Sequence, residues 1–311
     1  MEYRRLGKTG LDVSLLSYGG SPLGGCYGDN DEKRHIDSVH HAVEMGINFF
    51  DTSPYYGKTL SETVMGKAIK DIPRDKFILA TKVGRYDVKD FDFSYNRVIS
   101  SVKESMKRLN VEYLDVAMCH DIEFGDLNQV INESIPALMK LKQDGLVRHI
   151  GVTGYPLKAL MTVVNACPSI DVILSYCHFC LNDTSLESIV PQLKQQNIGI
   201  INASLLNMGM LTERGPPEWH PADPEIKKKA QEAARLCKER GSDISKVALQ
   251  YALRENQDIH THLVGMPHND QVDYNIKLMK DPIDNDLTVN VLNMFEGVKN
   301  RQWISGRTEN N

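Results

Sequence analysis

Eight short apolar runs alternate with amphipathic stretches along this chain, and that alternation constrains its fold more than any other feature. The runs are LLSYG, INFFD, FILAT, YLDVAMC, HIGVT, DVILSY, GIINA and HLVGM. Between them lie segments of helical period such as DEKRHIDSVHHAVEMG and FSYNRVISSVKESMKRLN. A strand that is apolar on both faces needs cover on both, which a parallel sheet with helical crossovers provides. Eight repeats of one unit predict a closed (β/α)8 barrel, with a doubly wound open sheet as the alternative. Ahead of the first repeat, EYRRLG and LDVSLLS flank Lys8-Thr9-Gly10 and predict a β-hairpin. The 311 residues suit one barrel domain, 1–311, with no linker or low-complexity tract to divide it. Two segments exceed what the pattern needs, 205–223 and the tail from about 285 onward. Long loops at a barrel mouth carry selectivity more often than stability.

Four chemically loaded residues fall at or just past the C-terminal ends of these runs. Asp51 ends INFFD and Tyr56 follows it, Lys82 comes just after FILAT, and His120 follows YLDVAMC. In a parallel β/α architecture successive strand ends converge on one face, so the four are expected in one pocket. Each alone has a structural reading: a loop cap, a rim aromatic, a surface charge, a satisfied core histidine. Together they suit moving a proton beside a hydride. Tyrosine ionises near pH 10, but an ammonium about 4 Å away contributes up to about 4 kcal/mol to the phenolate at an effective dielectric near 20. A shift of two pH units needs only about 2.7 kcal/mol. Lys82 is therefore expected to lower the Tyr56 pKa, with Asp51 holding the ammonium charged and His120 directing the reacting oxygen.

Other chemistries find no support. Net charge is −5 with both signs interspersed, which gives no nucleic-acid footprint. The N-terminus lacks a signal-peptide core, and no run approaches about 18 apolar residues, so the expected location is cytoplasmic, with no membrane partner. Six cysteines show no disulfide spacing, and the single C-x-x-C, Cys177 to Cys180, has no second pair to hold a metal. Gly7-Lys8-Thr9 and Gly57-Lys58-Thr59 lack the glycine a phosphate loop requires, and Gly19 to Gly25 lacks dinucleotide-loop spacing. No metal is expected.

With these residues assembled, the chain resembles the aldo-keto reductases. Asp51-Thr-Ser-Pro-Tyr55-Tyr56-Gly with Ser61-Glu62, the pair Thr81-Lys82, and His120 look like that family's strand-end signatures. The resemblance covers the whole chain and implies a (β/α)8 TIM barrel whose N-terminal hairpin closes the bottom. It also implies catalysis by Asp51, Tyr56, Lys82 and His120, with NAD(P)(H) bound without a Rossmann domain. The segments CHDIEFG, DVILSYCH, GPPEWHPA and the tail resemble a plant sugar-dehydrogenase branch of the family. That branch implies NAD-dependent oxidation of L-galactose at C1 to its lactone, on the way to ascorbate. D-arabinose oxidation, NADPH-dependent aldehyde reduction and a cofactor-sensing regulatory subunit are the rival readings.

By position, the resemblance puts Gly20, Ser21, Thr153, Ser175, Ser204, Leu206, Gly209, Gly265, His268, Gln271 and Asn275 on the cofactor. Gly154 and Leu174 depart from it, since both stand where the family has polar side chains. Only His268, flanked by Asp270 and Asp273, stands where NADP-preferring members place Lys or Arg, so NAD is expected over NADP. Tyr55, Arg85, Asp121, His178 and Trp219 are expected near a sugar substrate, as hydrogen-bond partners or aromatic plates. Oligomeric state is not legible.

Overall fold

The computed structural model describes residues 1–26, 28 and 31–311. Its ten strands are β1 (Tyr3–Arg5), β2 (Asp12–Ser14), β3 (Leu16–Gly19), β4 (Phe49–Asp51), β5 (Ile78–Val83), β6 (Leu114–Cys119), β7 (Val147–Gly154), β8 (Val172–Tyr176), β9 (Gly199–Ala203) and β10 (Thr261–Val264). Strands β3 to β10 pair in parallel and close into a barrel in the order β10-β3-β4-β5-β6-β7-β8-β9. All eight apolar runs are therefore barrel strands, and the open-sheet alternative is excluded.

Strand alternation sorts the side chains into two cores. Phe49, Ala80, Val116, Met118, Val172, Leu174, Ile201 and Leu263 pack together inside the barrel. Their neighbours Phe50, Leu79, Ala117, Val152, Ile173 and Ile200 pack outward against the helices. The predicted hairpin is β1 paired antiparallel with β2, turning through Gly10 at φ +76°. It plugs the bottom: Leu6 and Val13 join the interior core, and Lys8 N donates to Asn197 O at 2.7 Å. Gly199 is required there, because a Cβ on it would stand 2.7 Å from the Leu6 side chain.

Helix starts follow their capping residues. Asp31 accepts from Arg34 N at the start of Glu32–Glu44. Asp223 accepts from Glu225 N and Ile226 N at the start of Pro224–Glu239, with Pro224 at the first helical position. The long tail forms a helix, Asn285–Met294, and then runs back toward the mouth. There Arg307 N donates to Glu123 O, and Asn310 Nδ2 donates to Glu123 O and Gly125 O. Among the described residues no helix is long and apolar enough to cross a membrane. Nor does any group of three or more His, Cys, Asp or Glu stand ready to hold a metal. The six cysteines are free.

Candidate active site

Register explains why the four residues meet. Gly19 pairs with Asp51 and Asp51 with Ala80, while Lys82 pairs with Met118. Asp51, Lys82 and His120 thus share the inward alternation of Phe49, Ala80 and Met118, one level higher. Tyr56 returns over them on the turn after β4.

The Lys82 ammonium has three protons, and all three are engaged. One goes to Asp51 Oδ1 at 2.5 Å, one to Thr52 O at 2.9 Å, and one to the Tyr56 hydroxyl oxygen at 3.1 Å. Because the Tyr56 oxygen accepts from Lys82, its own proton is free of that bond. The His120 ring stands edge-on to Tyr56, 5.7 Å between centroids.

The second part of the family signature braces this arrangement from behind. Ser61 Oγ donates to Gly20 O and shares a hydrogen bond with Thr52 Oγ1. Glu62, fully buried, accepts from Thr81 Oγ1 at 2.6 Å and from Arg108 Nε at 2.6 Å. Thr81 is thereby fixed, and with it the start of the Lys82 side chain.

Electrostatics corrects one expectation. The Tyr56 phenol stands well above its ordinary range, not below it. Desolvation at the mouth is the main cause, and the Asp51 and Asp121 carboxylates add to it while Arg85 opposes. The Asp51 carboxylate that holds the ammonium charged also raises the phenol, and burial pushes the Asp51 carboxyl itself up against the pull of Lys82. His120 moves the other way: burial pushes its imidazole down to about 3, Asp121 opposes, and Lys82 and Arg85 assist. The site therefore presents two neutral donors, a phenol and an imidazole, over one ion pair.

Of the residues expected near a substrate, three join this cluster. Arg85 and Asp121 form a buried ion pair, and the guanidinium lies 3.9 Å over the Tyr55 ring. Asp121 Oδ2 is 3.6 Å from His120 Nε2, and the Tyr55 ring meets His120 edge-on at 5.8 Å. His178 is a correction. It is fully buried, Nδ1 faces Asp183 Oδ2 at 3.2 Å and Ser185 Oγ at 3.0 Å, and Nε2 faces Tyr155 O at 2.7 Å. Both nitrogens are satisfied behind the wall, so it is a core histidine. Trp219 lies on the loop after β9 with 59% of its surface exposed and its ring alongside His220.

The expected cofactor residues divide in a similar way. Gly20 has both polar backbone groups engaged, its N–H on Asp51 O at 2.7 Å and its carbonyl by Ser61. A Cβ there would stand 2.6 Å from Asp51 O, so the glycine serves close approach to β4 and has no N–H to offer a cofactor. Ser21 opens the short helix that follows. The Thr153 hydroxyl accepts from Asp121 N at 3.0 Å and donates to Asp121 Oδ1 at 3.3 Å. Leu174 points into the barrel core. Ser175, on the helix side of β8 near its mouth end, is fully buried, with a hydroxyl that has no partner among the described residues.

After β9 the backbone turns through positive φ at Ser204, Asn207, Met208 and Gly209. Leu206 in this loop accepts from Gly209 N and Leu211 N. Gly265 packs on Pro22, which leaves no space for a Cβ. His268 precedes the helix Asn269–Lys280, on which Gln271 is exposed and Asn275 buried. Asp270 lies in its first turn, and Asp273 is paired with His41 at 2.7 Å.

Sequence reasoning missed three residues that the structure brings to this wall. Ser53 bonds His120, Glu123 bonds the tail, and Tyr176 ends β8 with its hydroxyl 3.3 Å from Glu123 Oε1. For Tyr176 a signal existed: it continues the inward alternation of Val172 and Leu174. Ser53 and Glu123 carried none.

Comparison with known proteins agrees with the geometry. The model of the aldo/keto reductase family matches residues 15–288. Over its full length the chain is 48% identical to L-galactose dehydrogenase of Arabidopsis thaliana, covering 99% of that protein. It is 34% identical to D-arabinose 1-dehydrogenase of Saccharomyces cerevisiae, over 78% of this chain and 76% of the other. Among solved structures, an aldo-keto reductase from Bacillus halodurans in its holo form superposes with a TM-score of 0.78 at 26% identity, covering 96% of this chain and 98% of the other. The chain belongs to the aldo-keto reductase family, and the cluster of Asp51, Tyr56, Lys82 and His120 stands at the mouth of its barrel.

Proposed function

We propose that this enzyme oxidises L-galactose at C1 to L-galactono-lactone with NAD as hydride acceptor. The observation that carries the reading is the end-to-end 48% identity with an L-galactose dehydrogenase. The intact proton-transfer group, with Lys82 3.1 Å from the Tyr56 oxygen, supports it.

The described residues fit a nicotinamide cofactor. Thr153 and the neighbouring backbone at the mouth end of β7 are the polar groups that suit a carboxamide, whereas the buried Ser175 hydroxyl lies on the helix side of β8. The turn from Ser204 to Gly209 follows the C-terminal end of β9 and the helix Asn269–Lys280 follows β10, which suits them to the pyrophosphate and adenosine. The first turn of that helix carries an acid and no Lys or Arg, which favours NAD over its phosphorylated form. When bound, the oxidised nicotinamide supplies the hydride acceptor and a positive charge at the mouth.

The chain's own residues do the rest. His120 holds the C1 hydroxyl oxygen and fixes its direction. Tyr56 takes the hydroxyl proton as the C1–H bond breaks and the C1=O bond forms. Lys82 steadies the phenolate form that accepts this proton through its existing hydrogen bond, and Asp51 keeps the ammonium in place. The Arg85–Asp121 pair and Tyr55 flank the oxygen and offer partners to the ring hydroxyls.

D-arabinose oxidation is the second reading, favoured by the yeast relative. The two sugars share their configuration from C2 to C4, and L-galactose adds a hydroxymethyl group at C5. Initial rates of NADH formation with L-galactose, L-fucose, D-arabinose and D-galactose separate them. Highest kcat/KM on L-galactose supports the proposal, and higher kcat/KM on D-arabinose replaces it. No turnover of any aldose with either cofactor would favour a regulatory role.

A further inference from the structure

We infer that Ser53 sets the tautomer of His120, presenting Nε2–H to the reacting oxygen; Ser53 is a positioning residue for the reaction proposed above. The geometry leaves the hydroxyl little choice. Ser53 is fully buried. Its oxygen accepts from Tyr55 N at 3.1 Å, and it lies 3.0 Å from His120 Nδ1. A serine hydroxyl has one proton to donate. Nδ1 is the acceptor found for it among the described residues, and a buried hydroxyl proton left without an acceptor is costly. With Nδ1 accepting, a neutral imidazole carries its proton on Nε2.

The other side of the ring agrees independently. Nε2 faces Asp121 Oδ2 at 3.6 Å, where a lone pair on the ring would meet a carboxylate and an N–H is favoured. Asp121 is itself held by Arg85 and by the Thr153 hydroxyl, so it cannot turn away to suit the opposite tautomer. The Tyr55 and Tyr56 rings pack edge-on to the imidazole and hold its plane. Ser53 thus acts from behind the ring while the substrate meets the front. A histidine in the wrong tautomer would offer a lone pair to an oxygen that needs a donor, which is the way an orienting group controls catalysis through a histidine.

The test is long-range 1H–15N correlation on histidine-labelled protein without ligands, with the His120 signals assigned through His120→Asn. The wild type is expected to show Nδ1 unprotonated and Nε2 protonated. In Ser53→Ala the two forms should mix, and Ser53→Thr, which keeps the hydroxyl, should restore the wild-type pattern. In turnover, Ser53→Ala should lower kcat at least about tenfold, with an unchanged dissociation constant for NADH, and Ser53→Thr should recover most of the loss. A wild-type spectrum with the proton on Nδ1 would overturn the inference, as would an unaltered His120 pattern in Ser53→Ala. The spectra are recorded without sugar, so they judge Ser53 even if the substrate assignment fails.

Discussion

The Lys82 ammonium lies 3.1 Å from the Tyr56 hydroxyl oxygen while its other two protons are engaged by Asp51 and Thr52 O. This saturation holds the phenol in one orientation and leaves no proton on Lys82 for the substrate. Lys82→Met removes the support and strands a buried carboxyl at Asp51. It should lower kcat/KM about 10²- to 10⁴-fold and destabilise the fold by about 3 kcal/mol. Steady-state kinetics and urea unfolding measure the two effects, and a full-rate variant would remove Lys82 from the proton transfer.

The pH profile follows from the directions of the two shifts. Oxidation needs the Tyr56 phenolate, and burial with two nearby carboxylates pushes that ionisation well above the ordinary phenol range. In the sugar-oxidising direction kcat/KM should therefore rise with pH, by about tenfold per unit on the alkaline side, with no plateau by about pH 10. His120, pushed down to about 3 by burial, stays neutral throughout and should add no limb near its ordinary titration range. Initial rates at low sugar concentration test this. A plateau at neutral pH would show that the phenol is already ionised.

Asp121 joins specificity to stability. Burial pushes its carboxyl up, but the charge and hydrogen bond of Arg85, with Lys82, hold it below its ordinary range. Asp121→Asn leaves the Arg85 guanidinium without its anion beside Tyr55. Loss of one partner of a buried pair should cost about 3 kcal/mol, and the sugar KM should rise at least about tenfold, with NADH binding little changed. Equal KM values would place the sugar elsewhere in the mouth.

Glu123 gives the fold a pH dependence of opposite sense to that of an ordinary ion-paired acid. Burial, with Asp121 nearby, pushes its carboxyl from 4.5 to about 8, against hydrogen bonds from Ser305 and Tyr155 N. Unfolding releases its proton anywhere between those two values. The stability this neutral acid contributes is thus complete below about pH 4.5 and is lost as pH rises through about 8. Glu123→Gln has no proton to release and should flatten that decline, as thermal unfolding across the window will measure. An identical slope in the variant would mean that Glu123 is ionised in the folded protein.

Barrel, hairpin and the meeting of Asp51, Tyr56, Lys82 and His120 were legible because each rests on local periodicity. Alternation fixes which face of β4, β5 and β6 looks inward, and parallel pairing brings their ends together. What depends on where a side chain's partners lie was not legible. His178 reads like a site residue, yet it is enclosed by Asp183, Ser185 and Tyr155 O. Gly20 reads like a cofactor glycine and serves the approach of β3 to β4. The Tyr56 shift ran the other way because sequence shows the ammonium and its carboxylate but not how completely the phenol itself is buried. Glu123 and Ser305, 182 positions apart, meet only through the returning tail.

The proton-transfer role of Tyr56 is tested most directly by kcat of Tyr56→Phe with L-galactose and NAD, measured beside its NADH dissociation constant. The proposal predicts loss of turnover by at least about 10³-fold with cofactor affinity within a few-fold of wild type. Turnover at the wild-type rate would contradict it.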